Sequence, residues 1–425
     1  MARNLRVGVQ RGLRQSIGGG LGTGDIFTLS PASFDFARTG TKDSRITFTR
    51  SSTGTYVAAD GLIKTAASGA ARFDHDSATG KSLGLLIEES RTNKINNSKL
   101  ETGGSGFWQS FASEGQTATW TADSIASPDG TVSAGLAEKD GGGNPRFINS
   151  IDIVGADTVL TASVFCKQYQ TEETVLFAFY NIAGASYSQA TINIDSAAAT
   201  LGTGFSGAVV EDFDNSWKRV SVKYTVPSSA TGTTATFSLQ PSSNGSGMYF
   251  WGAQVEVGSF PTSLIITSGS TATRAADVAE ITGTDFSDFY NQSEGTMFAE
   301  AGTSTNTNNF DIFEYSNGSV NNRHTVRYEP GNTRAAFTGT GGNTSQQYVS
   351  LSSPANIKAA ATQSLGFAVN GVLTNSAGSS NSGTKTQLVI GFRGVTGGDY
   401  INGHIKRLSY FPTLLPNATL QSITS

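Results

Sequence analysis

Asp74, His75 and Asp76 stand consecutively, the kind of run that could bind a metal ion or transfer protons. On a strand, neighbouring side chains point to opposite faces, so the three cannot readily converge on one ion. Ala78, Thr79 and Gly80 follow as a turn, and the run reads as a hairpin end whose Asp side chains bond nearby backbone. His324 and His404 each stand alone in strand-like stretches and read as structural histidines. The single cysteine, Cys166, lies in the apolar stretch 164–166 with no basic partner nearby, and reads as a small buried hydrophobe. Cleaving a polysaccharide needs two carboxyls facing each other across the substrate. Glu172, Glu173, Asp212, Asp214, Asp285 and Asp288 are candidates, but all lie in polar, turn-like stretches where solvated carboxylates are expected. No G-x-S-x-G nucleophile elbow occurs. These residues imply no catalytic site, no metal site, no cofactor and no enzyme.

Binding chemistry leaves other candidates. A sugar site needs an exposed aromatic platform beside planar polar groups. Trp108, next to Phe107 in a Gly-rich stretch, and Tyr180, beside Asn181, are the glycan-binding candidates; packing inside the protein is the rival reading for both. Trp217 and Trp251 read as core. Arg3, Arg6, Arg11 and Arg14 make residues 1–14 basic with no acid, a docking arm for a neighbouring protein, and residues 15–24 (QSIGGGLGTG) form a flexible Gly-rich linker behind it. Nucleic-acid binding by the whole chain is not expected at a formal net charge of −4. No run approaches the ~18 apolar residues of a membrane span, and none has signal-peptide character.

The elements that must position these residues are strands. Charged residues are only 15% of the chain and there are 50 glycines, while Thr, Val and Phe are common, which disfavours helices. In 218–226, Val220, Val222, Tyr224 and Val226 alternate with polar residues, and 234–240 repeats the pattern with Ala235, Phe237 and Leu239. In 250–257 the alternation puts Trp251, Ala253, Val255 and Val257 on one face, so Trp251 is expected to point between two sheets. Asp60 and Gly61 mark a hairpin turn. Pro416 and Asn417 can start one short helical turn carrying Leu420 and Ile423. The expected fold class is all-β: multidomain antiparallel β-sandwiches with an extended N-terminal arm. The expected boundaries are 1–44 for the arm and linker, 45–104 for a small β module, 105–258 for one sandwich, 259–290 for a connector packing with the small module, and 291–425 for a second sandwich.

Residues 48–57 (FTRSSTGTYV), 60–65 (DGLIKT), 72–76 (RFDHD), 82–89 (SLGLLIEE) and 91–93 (RTN) resemble a block recurrent in tailed-bacteriophage structural proteins. So do 250–263 (FWGAQVEVGSFPTS) and 273–277 (TRAAD). Together they span about 45 to 280. Trp120, 127–131 (SPDGT) and 215–219 (NSWKR) resemble the jelly roll of carbohydrate-binding modules. Residues 403–412 (GHIKRLSYFP) with 420–423 (LQSI) are similar to concanavalin-like or laminin-G-like sandwiches. The resemblance implies a fibre-like virion protein, a homotrimer, held to other virion proteins by its arm and touching host surface glycans. A capsid or tail decoration protein and a polysaccharide-degrading tailspike stay open as alternatives.

Overall fold

The computed structural model describes residues 26–100, 109–111, 117–140, 146–152, 155, 158–180, 188–230, 234–241, 246–303, 308–338, 344–351, 353–364, 366–375, 383–394 and 396–425. The alternating stretches fold as strands, and their apolar faces meet in two large cores. All named sheet pairings are antiparallel. The fold is an all-β assembly of sandwiches.

The first sandwich stacks two six-stranded sheets. One runs Phe205–Asp212, Lys218–Thr225, Val159–Tyr169, Ser246–Val257, Val132–Asp140 and Thr117–Ala126. The other runs Ala199–Leu201, Ser188–Asn193, Thr174–Tyr180, Thr234–Pro241, Arg146–Asp152 and Gln109–Phe111. Val220, Val222 and Tyr224 of the first sheet meet Phe177, Phe179, Phe237 and Leu239 of the second, as the period of two requires.

The second sandwich pairs an eight-stranded sheet with a seven-stranded one. Much of each comes from far upstream. Thr47–Thr49 is an edge of the seven-stranded sheet, while Phe73–His75 and Ser82–Ile87 extend the eight-stranded sheet beside Gly403–Phe411. The first sandwich is therefore inserted into a loop of the second. The segment 45–104, expected as a separate small module, contributes strands to the second sandwich. Strands of three to six residues cannot bury a face alone and are stable only as additions to a larger sheet. Among the described residues, only the hairpin Gly54–Val57 with Ile63–Ala66, and the pair Arg91–Asn93 with Ala272–Arg274, form small sheets of their own.

Residues 26–44, expected in an extended arm, are also built in. Ala32–Asp35 pairs with 407–410, and Ala32, Phe34 and Phe36 enter the second core. Residues 1–25, with the four arginines and the Gly-rich linker, lie outside the described residues. At the other end, Asn417–Thr424 is a helix whose Leu420 and Ile423 pack with Ile26 against the outer face of the eight-stranded sheet.

Trp251 corrects one strand-face expectation. It is fully buried, but not between the sheets of the first sandwich. Met248 and Phe250 face that core, and so do Ala253 and Val255; the parity changes between them. A β-bulge sits there: Ser163 pairs with Gln254 but Phe165 with Trp251, so one residue opposes two. Gly252 carries it, with φ +66° and space for no side chain, since a Cβ would lie 2.9 Å from Phe165. Trp251 thus turns outward, against Phe165, Trp217, Leu264 and Ile63 of the hairpin. Its indole N–H donates to Ser133 Oγ at 3.1 Å.

Candidate functional site

On the polar side of that seam, five residues from four stretches of chain converge in one buried network. Arg50 is the third residue of the first quoted motif, Arg72 begins RFDHD, Glu88 follows the strand Ser82–Ile87, and Arg274 and Asp277 belong to TRAAD. All five are at most 4% exposed. Arg50 donates to Asp277 Oδ1 at 3.1 Å and Arg72 to Asp277 Oδ2 at 2.5 Å. Arg72 also reaches Glu88 at 2.8 Å and donates to the Thr55 carbonyl and Ser263 Oγ, both at 2.8 Å. Glu88 takes the backbone N–H of Ser263 at 2.7 Å and its hydroxyl at 2.6 Å. The Glu88 N–H donates to Asp277 at 2.9 Å. Burial alone would raise the Glu88 carboxyl, but Arg274 and Arg72, with the Ser263 bonds, outweigh it and hold the group well below the usual carboxylate range.

The same layout continues into the first sandwich. Glu256 takes the Thr262 hydroxyl at 2.6 Å and its N–H at 3.0 Å, and Gln254 bonds Glu256 at 2.6 Å. Asn93 is fully buried; its amide donates to the carbonyls of Ala253 and Ile265 and accepts from Val255 N–H at 3.1 Å. These bonds tie the strand Ser246–Val257 to the upstream segments. We call the whole set the lock.

A cleft of about 910 Å³ opens beside the lock, and Glu88, Thr262 and Ser263 line part of it. Its walls come from the hairpin and the 74–79 turn, from the strands Phe205–Asp212 and Lys218–Thr225, and from 302–303 and 402–406. Here Asp74, His75 and His404 come together. Asp74 Oδ1 takes the Val57 N–H at 2.6 Å, and its Oδ2 lies 2.9 Å from His404 Nε2. His75 Nδ1 meets the Val57 carbonyl at 3.1 Å. Two adjacent residues thus grip one backbone unit. A bulge between Asp74 and His75 changes the strict splay expected of them. Asp76 instead caps its own turn, accepting from Thr79 N–H at 2.8 Å. His404 does not stand alone, because Asp74 holds it. Among the described residues, no three His, Cys, Asp or Glu side chains are grouped to hold a metal.

The remaining candidates separate. Glu172, expected in a solvated loop, is fully buried and accepts from Thr174 N–H at 2.8 Å. Glu173 takes the Asn193 amide at 3.3 Å, Asp212 is paired with Lys218, and Asp214 accepts from Asn215 N–H at 2.8 Å. Asp285 and Asp288 are exposed beside the short helix Gly283–Ser287. Cys166 is buried and burial pushes its thiol up. His324 is buried edge-on to Phe313, and burial holds its imidazole well below its ordinary pKa. Trp217 is buried and donates to the Ala126 carbonyl at 3.2 Å. Tyr180 ends the strand Thr174–Tyr180, paired with Thr236; its side chain, like the whole of Trp108 and Arg3, Arg6, Arg11 and Arg14, lies outside the described residues.

No family model matches the chain. No curated protein matches it. Among solved structures, the sialidase CBM40 module of Ruminococcus gnavus with α2,3-sialyllactose is similar at 14% identity over 31% of this chain and 82% of that one, with a TM-score of 0.28. The tandem CBM22 domains of Paenibacillus barcinonensis Xyn10C are similar at 10% identity over 76% and 97%, TM-score 0.25. Mouse laminin α1 LG4–5 is similar at 11% identity over 61% and 84%, TM-score 0.22. Likenesses this slight carry no argument, and the fold stands on the sheet pairings described above.

Proposed function

We propose that this chain is a structural protein of a tailed-phage particle, fibre-like, which docks to other particle proteins by its N-terminal arm and touches host surface glycans with its joined sandwiches. The observation that carries the reading is a coincidence. The segments that resemble the recurrent phage block supply Arg50, Arg72, Glu88, Asn93, Gln254, Glu256, Arg274 and Asp277, which are the residues of the lock. The block therefore encodes a joint between sandwiches rather than a reaction centre, and a stiff joint suits a part that transmits position within a particle. A symmetric oligomer, a homotrimer by the resemblance, multiplies weak contacts by about 10²–10⁴ when geometry permits.

Gold labelling of purified particles with an antibody to the second sandwich tests this. Label on tail or head fibres is expected, and a chain found only free in the lysate counts against it. Deleting residues 1–24 should leave both sandwiches folded and abolish incorporation. Label spread evenly over the capsid would favour the decoration protein, and polysaccharide turnover by the purified chain would favour the tailspike.

A further inference from the structure

We infer that the cleft beside the lock is a binding site for a neutral oligosaccharide. This rests on the glycan-contacting part of the proposed function and gives it a place. At about 910 Å³ the cleft lies near the top of the ~300–1,000 Å³ range of ligand sites, so it suits an extended ligand.

The ligand class follows from the walls. Asp74, Asp76 and Glu211 face the same space as Lys223 and Lys406, with His75 and His404 between them. Opposite charges on one lining select neither a polyanion nor a polycation. They offer donors and acceptors together, which a chain of hydroxyl groups satisfies in both senses. Val57 and Val209 supply apolar surface for the C–H faces of sugar rings, and Val209 is 48% exposed.

The polar groups are also held ready. Val57 and Asp74 each occupy one ring nitrogen, of His75 and His404 respectively. The second nitrogen of each ring has no partner among the described residues. Lys223 has no ion-pair partner among them either. Its stem lies across bare Gly207, where a Cβ would come within 2.3 Å of it. Gly207 sits in a second bulge, between Ser206 and Val209, so both polar walls carry the kind of bulge that re-aims side chains at binding sites.

The test is titration calorimetry of the full chain with xylohexaose, cellohexaose, maltohexaose and chitohexaose, and with sialyllactose as the charged probe. We expect at least one neutral probe to bind. Lys223→Ala and His404→Gln should each weaken that binding at least tenfold with the melting temperature unchanged, while Trp108→Ala and Tyr180→Ala leave it intact. If either cleft variant fails to fold, Val209→Arg on the exposed rim blocks the cleft without touching the lock, and it should abolish binding. Binding that survives all three cleft variants but is lost in Trp108→Ala or Tyr180→Ala overturns the cleft and leaves the glycan reading standing. Binding of sialyllactose alone overturns the neutral class. No binding by any probe overturns both.

Discussion

Two buried clusters of arginine and carboxylate lie among the described residues, and they are balanced in opposite directions. The lock joins Arg50, Arg72 and Arg274 to Glu88 and Asp277. The second cluster lies on the seven-stranded sheet, where a bulge within Phe310–Ser316 brings Asp311 and Glu314 to one side beside Arg323, Arg327 and Arg393. Both have three arginines and two buried acids. In the lock, every oxygen of Glu88 and Asp277 accepts at least one hydrogen bond. In the second cluster, Arg327 reaches Asp311 Oδ1 at 3.0 Å, but Asp311 Oδ2 has no hydrogen-bond partner among the described residues, and Glu314 has only poorly aligned donors in Ser316 and Arg323, the latter 3.5 Å away. Burial then dominates. It pushes Asp311 up to about 6 against the pull of Arg327, and it raises Glu314 as well. Arginine nearby is not enough to keep a buried carboxylate charged; aligned donors on each oxygen decide it.

The largest effect expected is from Asp277→Ala. It strips Arg50 and Arg72 of a shared partner in a dry site, and removing one member of a buried ion pair costs about 3–5 kcal/mol. Urea denaturation of the full chain measures it, and a loss under about 1 kcal/mol would break the comparison. The apolar half of the same seam is tested by Trp251→Ala, which should cost a similar ~3–5 kcal/mol by emptying the space between Phe165, Trp217 and Ile63. Glu88→Gln keeps the shape of the side chain but removes its charge, and should cost about 1.5–3 kcal/mol, the worth of hydrogen bonds to a charged group. Glu314→Gln should fall within about 1 kcal/mol of wild type or stabilise, because it relieves a buried carboxylate whose donors, Ser316 and Arg323, do not offset its burial. Equal costs for the two Glu→Gln changes would erase the distinction.

The clusters also differ in their response to pH. Glu88 is held low, so its stabilisation is full above the unfolded value of about 4.3 and is lost as pH falls below it. Asp311 is held high. Between about 4 and 6 the folded chain keeps a proton that the unfolded chain releases, so this group costs stability as pH rises through that window. His324, held low by burial, works the other way below about 6.5 and masks the trend in the wild type alone. The stability difference between wild type and Asp311→Asn cancels His324. It should shift toward wild type as pH drops from 6 to 4, by at most about 1.4 kcal/mol per pH unit. A pH-independent difference would place Asp311 outside the second cluster's logic.

Local pattern in the sequence reached the strands, because a period of two is written in neighbouring residues such as Val220, Val222 and Tyr224. It reached the C-terminal helix through Pro416, Leu420 and Ile423. It missed Trp251's face because one extra residue at Gly252 reverses parity, and a glycine between apolar residues was the only local sign. The insertion of one sandwich into the other was not legible, since Thr47–Thr49 and Ser82–Ile87 find their partners hundreds of residues downstream. The same distance hid the cleft: Asp74 and His404 are 330 residues apart. The lock lay inside motifs recognised only as strings. A charged residue such as Arg72 or Glu88 at the end of a strand pattern reads as solvated until the partner that buries it is known.

Scanning calorimetry of the full chain tests most directly whether the lock makes the two sandwiches one unit. The wild type should unfold in a single cooperative transition, and Asp277→Ala should resolve it into two, each sandwich melting by itself at a lower temperature. Two separate transitions in the wild type, or one unchanged transition in Asp277→Ala, would contradict the account.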